Sequence, residues 1–214
     1  MAAVLFDWDG TLIDSWRVHV QAAEVALTEC GLPTDADAVR RFLLSDDLPP
    51  DDLDPQAFLR AWRLIQPLYA GLHRSIEPYP GVAPLLDAVL AEGYATGVVT
   101  SKRRWAVERE LERVGWLGQF ACSICREDTQ RHKPHPEPLL RAQQAFAGQA
   151  VAYVGDAPSD IVAAKAAGLR AFGAAWGWHG AQALHDAGAD RVLRAPRELL
   201  DALAEIGEDR AALP

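Results

Sequence analysis

The chain has 214 residues, 50% hydrophobic and 24% charged, which suits one ordinary domain carrying an insertion and excludes a disordered or collagen-like polymer. Lysine plus arginine number 21 against 30 aspartates and glutamates, a net charge of −9, so bulk electrostatics repel a nucleic-acid backbone and an anionic membrane. The 3 cysteines do not make a disulfide framework, and the apolar start lacks a basic leader and is broken by Asp7 and Asp9. A cytoplasmic chain with no signal peptide and no nucleic-acid or membrane partner is therefore expected.

Val4-Leu5-Phe6 is a short apolar run followed at once by Asp-Trp-Asp-Gly-Thr, as a buried strand ends in a polar loop. From Trp16, the residues Val20, Ala23, Leu27 and Cys30 recur at helical spacing until Gly31 and Pro33 stop the pattern. Val39, Phe42 and Leu43 suggest a short second helix. Phe58, Trp62, Ile65, Tyr69 and Leu72 predict a third, with Pro67 as a kink or break. Between them, Ser45 to Pro55 is rich in aspartate and proline and reads as a solvated loop.

After Pro78 to Gly81 the rhythm changes. Helices are predicted at Pro84 to Glu92, Lys102 to Val114, Pro136 to Phe146, Pro158 to Ala167 and Pro196 to Ile206. Strands are predicted at Tyr94 to Val99, Phe120 to Ile124, Val151 to Val154 and Arg170 to Phe172. Strands alternating with helices imply a doubly wound parallel sheet, a Rossmann-like α/β fold. The stretch after the first strand, roughly sixty residues, is too long for a βα loop. Residues 1–14 and 79–214 are thus expected to form the α/β core, and residues 15–78 an inserted helical domain.

In such sheets ligands bind beyond the carboxyl ends of the strands, so the polar residues directly after predicted strands come first. These are Asp7 and Asp9, Thr100-Ser101, Lys133, and Asp156 with Asp160 beyond it. Asp7 and Asp9 sit two residues apart, and if they continue the strand their carboxylates crowd and repel unless a cation or proton intervenes. With Asp156 they make an all-oxygen donor set, which favours magnesium over zinc. The plainer alternatives are that Asp9-Gly10 is a turn and that Asp156 caps a helix. Thr100 and Ser101 can cap the next helix or bind an anion at its start, with the Lys133 ammonium supplying charge. Lys133 lies in His-Lys-Pro-His-Pro-Glu-Pro, whose prolines either fix the lysine or merely stiffen a loop.

Asp-x-Asp-Gly-Thr, Thr-Ser, Lys-Pro-x-Pro and Gly-Asp-x-x-x-Asp, in this order over residues 7 to 160, closely resemble the motifs of the haloacid dehalogenase superfamily of phosphatases. The helical insertion is similar to that family's cap. Ile13-Asp14-Ser15, Pro-Gly-Val at 80 to 82 and the run from Gly155 to Gly168 further resemble its phosphoglycolate phosphatase-like branch.

The resemblance implies a small phosphorylated substrate, with Asp7 as the nucleophile that forms an aspartyl-phosphate and Asp9 as acid, then base. It implies Mg2+ on Asp7, the backbone carbonyl of Asp9 and Asp156, with Asp160 orienting a metal-bound water or a metal ligand. Thr100, Ser101 and Lys133 would hold the phosphoryl oxygens. Arg17, His19, Arg41 and His73 are candidates for substrate selection from the cap, and a small cap leaves room for a monomer. The carboxylate at position 9 disfavours the dehalogenase branch, and Thr11 speaks against a sugar-phosphate mutase, which stays the alternative beside a noncatalytic phosphate-binding module.

Two other patterns are decoys. Cys122-x-x-Cys125 with His132-x-x-His135 has the ligand types of a zinc site, but residues three apart on a strand point to opposite faces. Trp176-Gly-Trp178-His179 follows the fifth predicted strand and resembles a segment of related phosphatases, though its aromatics can simply cover the sheet edge, and no catalytic role is assigned to it.

Overall fold

The computed structural model describes residues 1–45, 49, 53–72 and 75–211. In chain order the elements are β1 (Ala3–Phe6), β2 (Ile13–Asp14), α1 (Trp16–Glu29), α2 (Ala36–Leu43), α3 (Pro55–Leu72), β3 (Glu77–Pro78), α4 (Val82–Ala91), β4 (Ala95–Val99), α5 (Arg104–Arg113), β5 (Cys122–Ile124), α6 (Glu137–Ala145), β6 (Ala150–Gly155), α7 (Pro158–Ala166), β7 (Arg170–Ala174), α8 (Gly180–Asp186), β8 (Arg191–Leu193) and α9 (Glu198–Ala211). The chain divides into two compact units, one of Met1–Asp14 with Pro78–Pro214 and one of Ser15–Glu77.

The first unit is built on a six-stranded sheet in the order β5-β4-β1-β6-β7-β8, with every pairing parallel. This is the doubly wound α/β fold that the alternation predicts. Ala3, Val4, Leu5 and Phe6 are all buried, as a central parallel strand covered on both faces requires. One core layer gathers Leu5, Val99, Tyr153, Ile161 and Leu184 from three strands and two helices. The strand order reverses beside β1, so the carboxyl ends of β1, β4 and β6 open onto the topological switch point where α/β sheets carry their sites. Where the chain leaves and re-enters this unit, the Tyr79 N–H donates to the Leu12 carbonyl at 3.0 Å.

Several predicted boundaries move, and short elements emerge that periodicity did not show. The strand predicted from Phe120 begins at Cys122, because Phe120 packs edge-on against Trp8 and Trp116, with ring centroids at 6.2 and 6.4 Å. The helix α8 and the edge strand β8 are too short to leave a periodic signal.

In the second unit α3 runs unbroken through Pro67, contrary to a break there. Pro67 is on the exposed face, while Ile65 and Tyr69 anchor the buried face on either side of it. This unit has its own core of Leu27, Val39, Phe42, Phe58 and Ile65. Phe42 lies 5.1 Å from Phe58 and 5.0 Å from Trp62 between ring centroids, and Asp35 caps α2 by accepting the Ala38 N–H at 3.0 Å. Phe42 is fully buried at this aromatic junction, so Phe42→Ala is expected to cost the helical unit about 3–5 kcal/mol, measured by urea unfolding.

Candidate active site

Four of the residues singled out by sequence meet at the carboxyl edge of the sheet. Asp7 follows β1 directly, held there by its N–H donating to the Val154 carbonyl at 2.8 Å. Asp156 follows β6, and Asp160 lies in the first turn of α7, where its Oδ2 accepts the Ala157 N–H at 3.0 Å. Lys133 reaches in from the loop before α6 and donates to Asp7 Oδ1 at 2.8 Å and Asp160 Oδ1 at 2.6 Å. Its third contact is Tyr153 Oη at 3.0 Å, and that hydroxyl donates to the Val99 carbonyl at 2.8 Å. Carboxylate oxygens of Asp7, Asp156 and Asp160 all lie within 4.8 Å of one another.

The electrostatics of this cluster are unbalanced. Three buried carboxylates face one ammonium, which leaves an excess of two negative charges. Burial pushes the Asp7 carboxyl well above its ordinary range; Lys133 pulls it back, while Asp160 and Asp156 add to the rise. Burial likewise raises Asp156, against the nearby His179 side chain and the hydrogen bond donated by the Trp178 backbone N–H. For Lys133, burial alone would favour the neutral amine, but Asp160 and Asp7 overturn that and hold it firmly as a cation. Three carboxylates offering only oxygen, set against a single ammonium and with Asp7 and Asp156 pushed up by burial, are a fit for a hard divalent cation such as Mg2+.

Asp7 and Asp9 do not crowd on one side. The chain turns at Trp8, whose carbonyl accepts the N–H groups of Leu12 and Ile13 at 3.0 and 2.9 Å, and each aspartate has its own lysine. Lys102 Nζ holds both Asp9 oxygens, at 2.8 and 3.0 Å, and also pairs with Glu110 Oε1 at 2.9 Å. Glu110 is wholly buried on α5 and its second carboxylate oxygen accepts Trp8 Nε1–H at 2.5 Å. Burial raises the Glu110 carboxyl, partly offset by Lys102. Sequence reasoning missed Lys102 and Glu110; Glu110 sits in a charge-rich helix where nothing marks one glutamate as buried.

Thr100 follows β4 and is buried, its Oγ1 accepting the Lys102 N–H at 3.1 Å; Ser101 beside it is exposed. The Trp176–His179 segment lies against the cluster, as the sequence had not suggested. Trp178 N–H donates to Asp156 Oδ2 at 2.7 Å, His179 Nδ1 lies 3.9 Å from the same oxygen, and Trp176 Nε1–H donates to the Thr11 carbonyl at 2.9 Å. Gly10 has φ +78°, and a Cβ there would overlap the Asp156 carboxylate; a Cβ at Gly177 would overlap Asp156 and the Gly10 carbonyl. These two glycines leave the room in which Asp156 sits.

Of the helical-unit candidates, Arg17 and Arg41 are exposed, and His19 is half-buried against Tyr69 with ring centroids at 4.6 Å. His73 lies outside the described residues. Among the described residues the Cys122, Cys125, His132 and His135 set forms no metal-binding group.

Known proteins carry the same pattern. Residues 4–174 match the haloacid dehalogenase-like hydrolase family. The chain belongs to this family. The hydrolase is 30% identical over 230 residues to a phosphoglycolate phosphatase of Escherichia coli, covering 94% of this chain and 91% of that one. It is 33% identical over 220 residues to an N-acetylmuramic acid 6-phosphate phosphatase of Pseudomonas aeruginosa, covering 95% of each. Among solved structures, a hydrolase from Pseudomonas syringae superposes with a TM-score of 0.80 at 26% identity, over 96% of this chain and 99% of that one. A haloacid dehalogenase-like hydrolase from Streptococcus pneumoniae does so with a TM-score of 0.80 at 23% identity, over 95% and 98%. The hydrolase is an enzyme of the phosphatase kind, and no helix among its described residues is long and apolar enough to cross a membrane.

Two outcomes follow from this geometry. Gly177→Ala is expected to destabilise the α/β unit by about 1–3 kcal/mol, because Asp156 and the Gly10 carbonyl must both move, and thermal unfolding measures it. Burial pushes the Cys122 thiol up to about 11 and the Cys125 thiol up to about 12, which lowers the thiolate fraction at pH 8. Both are therefore expected to react with Ellman's reagent on the order of a hundredfold more slowly than an ordinary exposed thiol.

Proposed function

We propose that this enzyme is a magnesium-dependent phosphatase that hydrolyses a small phosphomonoester, of the phosphoglycolate class, through an aspartyl-phosphate on Asp7. The observation that carries the reading is the cluster of Asp7, Asp156 and Asp160 around one lysine, two charges short of neutrality. The phosphatase names of the curated relatives support the substrate class.

In this reading Asp7, Asp156 and the backbone carbonyl of Asp9 hold the metal ion, with Asp160 beside them. When bound, the ion would offset the carboxylate charge and draw a phosphoryl oxygen toward Asp7.

Lys133 opposes the rise that burial imposes on Asp7 and gives an incoming phosphoryl oxygen a cation to meet, which weakens the repulsion between a carboxylate and a phosphate dianion. Asp160 and Tyr153 fix where that ammonium sits. Thr100 and Ser101 offer their hydroxyls to the other phosphoryl oxygens. An oxygen of Asp7 attacks phosphorus as the bond to the leaving oxygen breaks, and Asp9 gives that oxygen a proton. Asp9, now a carboxylate, takes a proton from the water that cleaves the acyl phosphate, which returns Asp7 as a carboxylate and releases phosphate.

Residues 15–78 act in this reading as the cap that selects the substrate, with Arg17, His19 and Arg41 its candidate contacts. The setting is the cytoplasm, consistent with Cys30, Cys122 and Cys125 all being unpaired as disulfides.

Phosphate release from p-nitrophenyl phosphate and a panel of small phosphomonoesters, with Mg2+ or EDTA, tests the reading. Release is expected to need Mg2+ and to fall by about a thousandfold or more in Asp7→Asn. Undiminished release in Asp7→Asn would refute the nucleophile, and no release from any ester by folded protein would favour a mutase or a noncatalytic phosphate binder.

A further inference from the structure

The proposed reaction asks one carboxyl group, Asp9, to give a proton in one step and to take one in the next. That requires its oxygens to stay in place while its charge changes. The Lys102 ammonium, whose side chain is 7% exposed, reaches both Asp9 oxygens and Glu110 at once. Glu110 is in turn fixed by the indole N–H of Trp8. Trp8 is fully buried and packed edge-on against Trp116 and Phe120, each with ring centroids at 6.2 Å. A continuous line of contacts thus runs from the hydrophobic core, through Trp8, Glu110 and Lys102, to Asp9.

Resting on the reading above, we propose that Lys102 is the positioning residue for Asp9, anchored by Glu110 and Trp8, and that this relay aims Asp9 at the leaving oxygen. Glu110 has a specific part in it. Glu110 is a second carboxylate partner of Lys102, at 2.9 Å, so the ammonium is held from two sides and does not depend on Asp9 alone for its place. Its backbone is held as well, through the Lys102 N–H donated to Thr100 Oγ1. The catalytic turn after β1 and the turn after β4 are thereby joined through one side chain.

The consequence shows in the leaving group. As the bond from Asp7 to phosphorus forms and the bond to the leaving oxygen breaks, an alkoxide needs the Asp9 proton, whereas a nitrophenolate leaves without it. The experiment measures kcat/KM, which reports the steps up to phosphorylation of Asp7, for 2-phosphoglycolate and for p-nitrophenyl phosphate at saturating Mg2+. In Lys102→Met the loss for the alkyl ester is expected to exceed the loss for the aryl ester by about tenfold or more. Because Lys102→Met strands the buried Glu110 charge, the double variant Lys102→Met with Glu110→Gln is measured beside it, with thermal unfolding to verify the fold. The same selective loss is expected there.

Equal losses on both esters, or no loss on either, overturn the positioning role while leaving the phosphatase reading intact. A folded wild type that hydrolyses no ester of the panel overturns the phosphatase reading itself, and this inference with it.

Discussion

A single buried ammonium makes the arrangement at the end of β1 tenable. Lys133 is 6% exposed, and its two carboxylate partners, Asp7 and Asp160, are 10% and 0% exposed. A carboxylate this deep would ordinarily take up a proton, and burial does push Asp7 in that direction. Lys133 opposes the shift, and its own charge survives burial only because both acids flank it. Removing any one member would strand the others. The site is a mutually dependent set, and with Asp156 beside it the carboxylates outnumber the ammonium by two.

The same solution recurs at Asp9. Two aspartates separated by one residue would repel if they shared a face, and the fold assigns each to a different lysine. The turn at Trp8 separates them, and the steric limits on that turn are set by Asp156. Gly10 and Gly177 both lie where a methyl group would overlap Asp156. The backbone after β1 is therefore constrained from two directions: by the charges it must keep apart and by the neighbouring carboxylate it must admit.

Much of this was legible in the sequence, for particular reasons. β1, β4 and β6 are apolar runs ending abruptly in polar residues, and the topology of a parallel sheet then places those ends together. Asp7, Lys133, Asp156 and Asp160 meet as that rule requires. Glu110 was not legible, because its helix carries two further glutamates and three arginines, and burial of one of them depends on which face meets Trp8. Lys102 looked like the first residue of a helix. Pro67 misled because a proline on an exposed face removes one hydrogen bond without moving the buried face. Trp176 to His179 read as apolar cover, since nothing in the sequence shows that the Trp178 N–H is aimed at a carboxylate 22 residues earlier.

Both carboxylate clusters, with Trp8, Gly10, Tyr153, Gly177 and Trp178 that shape them, belong to the α/β unit. The helical unit has a separate core, built on Phe42, Phe58 and Trp62. The two units therefore answer to different constraints. The aromatic core of the helices lies within one unit, and the Lys133 and Lys102 pairings described above lie within the other. The charged sets after β1 tolerate little change in any member, since each buried charge depends on its partner.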